Sequence, residues 1–351
     1  MARLIIILFI ALKLPLLVSC VGGSVSTYKI SDHYNGKYFN NHVVGDKHIG
    51  DLLRFGLGSL TKPEQWPDWV EVQPQQVPHE RVVDGISVTF INHASFLVQV
   101  GGVNILTDPI YSDRASPTQW AGPKRVHDPG IRFEDLPPID VILISHNHYD
   151  HLDADTLKRF AKLDGELPLV LSGLGNSRFF DELGFTKNHE MDWEDSLEYA
   201  DLEFVFSECQ HRSGRGIVDQ MTTLWGSFII KTLAGNIYFA GDTGYSPHFK
   251  DSGLRHGPFA LALLPIGAYE PRWFMKDVHV NPMEAVQAHR DLRSEYSLGM
   301  HFGTFQLTYE AIDQPSRDLA TALTELDVDP EHFQIIAPGD TREINTATPR
   351  Y

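Results

Sequence analysis

From about residue 82 onward the chain is a succession of short apolar runs broken by glycine, proline and aspartate. Ile86-Ser87-Val88-Thr89-Phe90, Ser95 to Val100 and Val103 to Thr107 predict three consecutive strands, the last two joined at Gly101-Gly102. Val141-Ile142-Leu143-Ile144, Phe204-Val205-Phe206, Ile237-Tyr238-Phe239-Ala240 and Ser297-Leu298-Gly299-Met300 are short enough for buried strands. Helical spacing appears between Asp153 and Leu163, where Leu157, Phe160 and Ala161 share a face and Asp153 can cap. Asn281-Pro282 opens a second helix, carrying Ala285, Val286, Ala288, His289 and Leu292. Leu319 to Leu326 belongs to a last helix, followed by a terminal strand near His332 to Ile336. Antiparallel strands in two groups with helices between them predict an α+β protein, two sheets faced by helices.

The first 81 residues read differently. Arg3 precedes an apolar run from Leu4 to Leu12, but Lys13 and Pro15 interrupt it before it reaches the roughly 20 residues of a membrane span. Residues 1–20 therefore read as a secretory signal peptide. Its end, Leu17-Val18-Ser19-Cys20, resembles a bacterial lipobox, so the expectation is an exported protein of the bacterial cell envelope, held on a membrane by lipid at Cys20. Residues 21–81 are polar, aromatic and glycine-broken, as in a tether and arm, with Trp66-Pro67-x-Trp69 expected to pack on the body. Residues 82–351 form the remaining domain, without internal repeats.

Composition narrows the chemistry. A formal charge of −17 argues against nucleic acid as a partner, because phosphate backbones call for Lys and Arg clusters. An apolar share of 42% suits a well-packed core. Of the two cysteines only Cys209 lies in the body, so disulfides explain nothing here.

Ser145-His146-Asn147-His148-Tyr149-Asp150-His151 places four metal-ligand residues directly behind the run 141–144. A strand that ends in a turn lets side chains that would alternate between faces converge. Later candidates also follow apolar runs: His211 after 204–206, Asp242 in Gly241-Asp242-Thr243-Gly244 after 237–240, and His301 after 297–300. The donors exceed what one zinc with an open position needs, which points to two metals.

In order and spacing these residues resemble the ligand series of the metallo-β-lactamase superfamily. The flanking segments Asp108-Pro109-Ile110-Tyr111, Gly122-Pro123-Lys124-Arg125, Tyr269-Glu270-Pro271-Arg272-Trp273-Phe274-Met275 and His301-x-Gly303-Thr304-Phe305 resemble, more narrowly, the N-acylphosphatidylethanolamine-hydrolysing phospholipase D family. The resemblance implies a four-layer αββα sandwich. It also implies that His146, His148 and His211 hold one metal, Asp150, His151 and His301 a second, and that Asp242 bridges them, with Asp150 and Asp242 the catalytic carboxylates. Two Zn2+ ions suit imidazole and carboxylate donors, and iron or manganese is compatible with them. Such a pair would acidify a water and polarise the bond it attacks. The implied reaction is hydrolysis of N-acylphosphatidylethanolamine or a related glycerophospholipid to phosphatidate and the head-group alcohol. The alternative is a lactone or small phosphodiester as substrate.

His279 resembles a position lining that family's substrate pocket, although the vertebrate pattern has Gln where this chain has Val278. Of the aromatics Trp193, Trp225, Trp273, Phe274 and Phe305, Trp273 and Phe274 are read as walls for acyl chains. The Arg212 to Gly216 segment should form a mobile loop over the site. His93 should make a structural hydrogen bond near it, and His127, His248 and His256 should lie on the surface. A homodimer is compatible with all of this.

Overall fold

The computed structural model describes residues 31–39, 49–61, 64, 66–72, 78–216 and 218–344. The signal-like stretch 1–20 with Cys20, and much of the tether, fall outside them. No described helix is long and apolar enough to cross a membrane.

Two seven-stranded sheets form the centre. The first contains β1 (Ile86–Asn92), β2 (Ser95–Val100), β3 (Val103–Thr107), β4 (Val141–Ile144), β5 (Leu169–Gly173), β6 (Asn188–Met191) and, from the far end of the chain, β14 (Thr341–Ile344). The second contains β7 (Ser196–Tyr199), β8 (Leu202–Ser207), β9 (Ser227–Lys231), β10 (Asn236–Phe239), β11 (Phe259–Pro265), β12 (Ser294–Met300) and β13 (Phe333–Gln334). Their orders are β14-β1-β2-β3-β4-β5-β6 and β13-β12-β11-β10-β9-β8-β7. Both are mixed, which corrects the expectation of antiparallel strands: β3 to β6 are parallel neighbours, and so are β10 to β13. The residues between β3 and β4, and between later parallel partners, supply the crossovers that parallel pairing requires.

Burial explains why the strands read as continuous apolar runs. In the first sheet Val98, Ile105, Val141, Leu143 and Leu171 join a core shared with the second sheet. Their neighbours Leu97, Leu106, Ile142 and Val170 face the other way, against Leu157 and Phe160 of α2 (Ala154–Phe160) and Phe180 of α3 (Ser177–Glu182). Both faces are covered, so alternation is lost. Helix α6 (Pro282–Asp291) packs on β11 and β12 and against α7 (Gln314–Glu325), making the outer layer of the second sheet. The result is the four-layer sandwich.

The local signals were mostly sound. Asp153 caps α2 by accepting from the Asp155 amide, and Asn281 and Glu284 form a reciprocal capping box at α6. Trp66 anchors the arm through Nε1 to the Glu310 carbonyl at 2.9 Å, whereas Trp69 stays exposed. His127 and His248 are buried rather than on the surface, and His256 is partly covered. His127 faces the Asp128 carbonyl and Thr304 Oγ1, while His248 faces Ser246 Oγ. With those polar partners, burying an imidazole is affordable.

Candidate metal centre

The parallel strands carry the site. Asp108 follows β3 and the 146–151 loop follows β4, its parallel neighbour. His211 lies beyond β8, Asp242 beyond β10 and His301 beyond β12; β8 and β10 are both antiparallel to β9 and so run the same way. Their carboxyl ends therefore open at one edge of the sandwich, where loops from both sheets meet.

There the imidazoles crowd together. His148 Nδ1 lies 2.8 Å from His146 Nε2 and 3.3 Å from His211 Nε2, with Asp242 Oδ2 3.8 and 3.7 Å from those two Nε2 atoms. On the other side Asp150 Oδ2 is 3.4 Å from His151 Nε2 and 3.3 Å from His301 Nε2. Asp242 reaches this group too, Oδ2 at 3.2 Å from His151 Nε2 and Oδ1 at 3.1 Å from His301 Nε2. Asp242 thus touches both groups, aimed there by Gly241 at φ +59°. A side chain at Gly241 would meet Ser145 Cβ at 2.6 Å, and one at Gly244 the Asp277 carbonyl at 2.5 Å.

Three outward ring nitrogens are already engaged, whereas His301 Nδ1 has no hydrogen-bond partner. His151 Nδ1 meets Asp108 Oδ2 at 2.6 Å, His211 Nδ1 meets the Val278 carbonyl at 2.9 Å, and His146 Nδ1 meets Ser145 Oγ at 3.0 Å. A ring whose outer N–H donates to oxygen presents a bare lone pair from its inner nitrogen. His151 Nε2 and Asp242 Oδ1 are buried without a hydrogen-bond partner. Lone pairs converging at these distances fit divalent cations, which would displace the protons that His151 and His301 otherwise hold, and overlapping groups of donors lie within 4.8 Å of one another, among them His146, His148, His211 and Asp242, and His93, Asp150, His151 and His301.

The electrostatics follow. Burial, reinforced by the neighbouring imidazoles, holds His146 and His211 well below 6.5, and burial takes His148 to about 4. Burial opposes ionisation of Asp150 and Asp242, but the surrounding imidazoles, His151 foremost, keep both well below the usual carboxylate range. Against burial, Asp242 and Asp150 lift His301 to about 9.

A sequence profile of the β-lactamase superfamily domain matches residues 103–302. The chain belongs to the metallo-β-lactamase superfamily. Among members of this superfamily it is 40% identical over 294 residues to N-acyl-phosphatidylethanolamine-hydrolyzing phospholipase D 1 of Caenorhabditis elegans, covering 78% of this chain and 82% of the nematode protein. It is 32% identical over 291 residues to the mitochondrial N-acyl-phosphatidylethanolamine-hydrolyzing phospholipase D of Saccharomyces cerevisiae, covering 75% of this chain and 61% of the yeast one. A metallo hydrolase of the archaeon Ignicoccus hospitalis shares the fold, with a TM-score of 0.53, 21% identity and coverage of 74% and 97%. The protein is a metal-dependent hydrolase of the metallo-β-lactamase superfamily.

The remaining superfamily positions sort by geometry. His279, buried, has Nδ1 4.0 Å from Asp242 Oδ2, and its ring lies 5.2 Å from that of His211. Arg272 fixes it there, donating to the His279 carbonyl at 2.8 Å and pairing with Glu284. Phe274, the third residue of α5 (Arg272–Met275), is buried and stacks on Phe55 of α1 (Ile49–Thr61) at 4.6 Å. Trp273 remains 39% exposed under the guanidinium of Arg54. Trp225 and Trp193 belong to the core, and Phe305 packs edge-on against His93.

The loop after His211 is tied to its neighbours at Gly214 and Arg215. Gly214 donates to Asn147 Oδ1 at 2.6 Å, and Arg215 donates to the carbonyls of Asn147 and Leu152 while covering the Tyr149 ring. One contributor escaped the sequence reading: Asp108 was noted only within a family segment, yet it follows a strand as the ligand candidates do. His93, held at φ +48°, makes the hydrogen bond expected of it near the site, Nε2 lying 3.0 Å from Asp150 Oδ2.

Proposed function

We propose that this protein is a dinuclear zinc phosphodiesterase of phospholipase D type, hydrolysing N-acylphosphatidylethanolamine or a related glycerophospholipid. The observation that carries this reading is Asp242 shared between two donor groups, in a chain 40% identical to the nematode phospholipase D over most of its length. In this reading His146, His148 and His211 hold one cation, Asp150, His151 and His301 the other, and Asp242 both. When bound, two such ions would lower the pKa of a water and offset the negative charge that builds on the phosphoryl oxygens. The chain's own part is to fix the donors before substrate arrives: Asp108, Ser145 and the Val278 carbonyl lock the tautomers, and Arg272 sets His279 beside Asp242. Trp273 and Phe274, which precede His279 in sequence, are the proposed acyl-chain walls, with Trp273 the one open to solvent. An exported chain lipidated at Cys20 would be delivered to its substrate's membrane.

The second reading keeps the centre and changes the substrate to a lactone or small phosphodiester. Val278 favours it, being apolar and buried next to His279 where the vertebrate pattern is polar. The test is zinc-loaded protein lacking residues 1–20 with N-acylphosphatidylethanolamine micelles, followed by mass spectrometry. Phosphatidate and N-acylethanolamine, both abolished by chelator, are expected. Cleavage of a lactone with neither lipid product would overturn the lipid reading.

A further inference from the structure

His93 is close enough to Asp150, His151 and His301 to count as a fourth donor of their group, and only the placement of its protons decides whether it is one. Nε2 lies 3.0 Å from Asp150 Oδ2, while Nδ1 is buried with no hydrogen-bond partner among the described residues. A metal ligand would present a bare Nε2 and carry its proton on Nδ1, where no described residue accepts it. The imidazolium would bury the same orphaned N–H. The neutral ring with its proton on Nε2 avoids both and donates to Asp150. A nitrogen that carries a proton cannot ligate a cation, so His93 supports the donor set from outside it.

The mounting of His93 suits that task. It is the first of the two residues that turn β1 into β2, at φ +48°, a conformation that hairpins usually give to glycine or asparagine. Its amide donates to Thr304 Oγ1 at 2.9 Å, its carbonyl accepts from the His301 amide at 2.7 Å, and its ring lies 4.1 Å from the His301 ring. Thr304 is held in turn. His127 Nδ1 meets the Asp128 carbonyl at 2.7 Å, so His127 Nε2 is the acceptor for the Thr304 hydroxyl at 3.1 Å. That leaves Thr304 Oγ1 to accept from His93. The oxygen that His93 reaches, Asp150 Oδ2, is also the one 3.4 Å from His151 Nε2 and 3.3 Å from His301 Nε2, aimed where the second cation would sit.

We infer that His93 is the positioning residue of the second cation site, its Nε2–H holding Asp150 Oδ2 toward the cation while His93 itself stays off the metal. This rests on the two-cation reading of the centre and not on the lipid. The hydrogen bond fixes the direction of the coordinating oxygen and draws off part of its charge, leaving the cation the stronger Lewis acid.

The test titrates zinc into wild type, His93→Asn and His93→Gln against a competing chelator, and records the visible absorption of the Co2+-substituted proteins. Asparagine suits the positive φ but is too short to reach Asp150, whereas a glutamine amide can place an N–H near the position of Nε2. His93→Asn should lose affinity for one of two ions by about 10- to 100-fold and keep the other, with an altered cobalt spectrum. His93→Gln should recover both affinity and spectrum. Two ions at wild-type affinity in His93→Asn overturn the assignment. So does a His93→Gln protein that loses the ion as His93→Asn does, because a direct ligand would behave that way. Should His93→Asn fail to fold, His93→Leu takes its place with the same two outcomes. A wild type that holds one ion only overturns the two-cation reading and this assignment with it, a result distinct from two ions indifferent to residue 93.

Discussion

Asp108 Oδ2 lies 2.6 Å from His151 Nδ1 in a pair fully removed from solvent. The same oxygen accepts from Ser145 Oγ, which faces His146 Nδ1, and Asp108 Oδ1 accepts from the Ser145 amide. One carboxylate at the end of β3 therefore orients two imidazoles, one in each donor set. Burial alone would favour the neutral acid, and these partners oppose it. Asp108→Asn should keep the fold but lower zinc affinity by about 10- to 100-fold, measured by competition with a chelator. Unchanged affinity would mean the pair does not organise the centre.

Asp242 lies within 3.8 Å of histidines from both donor sets. Removing its charge in Asp242→Asn should cut turnover by at least about 100- to 1,000-fold and reduce bound zinc below the wild-type stoichiometry. Circular dichroism should remain native. An active, fully loaded variant would sink the shared-carboxylate arrangement.

The turn that aims Asp242 has no room for a side chain. Gly241→Ala would place Cβ 2.6 Å from Ser145 Cβ at φ +59°. Strain in that backbone region and the clash together should cost about 3 kcal/mol, read from the urea midpoint. A variant as stable as wild type would show that the turn can open.

Acid should weaken the fold through histidines remote from the metal centre. His289 sits between α6 and β12 with Nδ1 2.8 Å from Ser297 Oγ, and burial lowers it to about 4. Below its unfolded value near 6.5 the unfolded chain takes up the proton first, so the stability present above pH 6.5 is lost as pH falls toward 4. The loss attributable to this residue is on the order of 3 kcal/mol. His289→Gln should flatten the fall in Tm between pH 6.5 and 4 relative to wild type. An identical slope would assign the acid sensitivity elsewhere, with His248, lowered by burial to about 3, the next residue to replace.

Much of this protein was decided by sequence alone. Runs such as Val141 to Ile144 announce buried strands because both faces of each sheet are covered, and the caps at Asp153 and Asn281 mark helices because their bonds are local. Seven donors, each behind an apolar run, name the centre for the same reason: the end of a strand is a local event. Strand direction was not legible, since parallel or antiparallel pairing depends on where distant crossovers land. Nor was β14, four residues of mixed polarity whose partner in β1 is some 250 positions earlier. The role of Asp108 was hidden because an aspartate before proline reads as a turn until β3 and β4 stand side by side. His127 and His248 looked like surface residues because their partners are supplied by turns and by a distant threonine. The two arginines after His211 are indistinguishable in sequence. Only packing tied one of them down, Arg215 donating to the carbonyls of Asn147 and Leu152, because which donors are satisfied depends on contacts that form between elements.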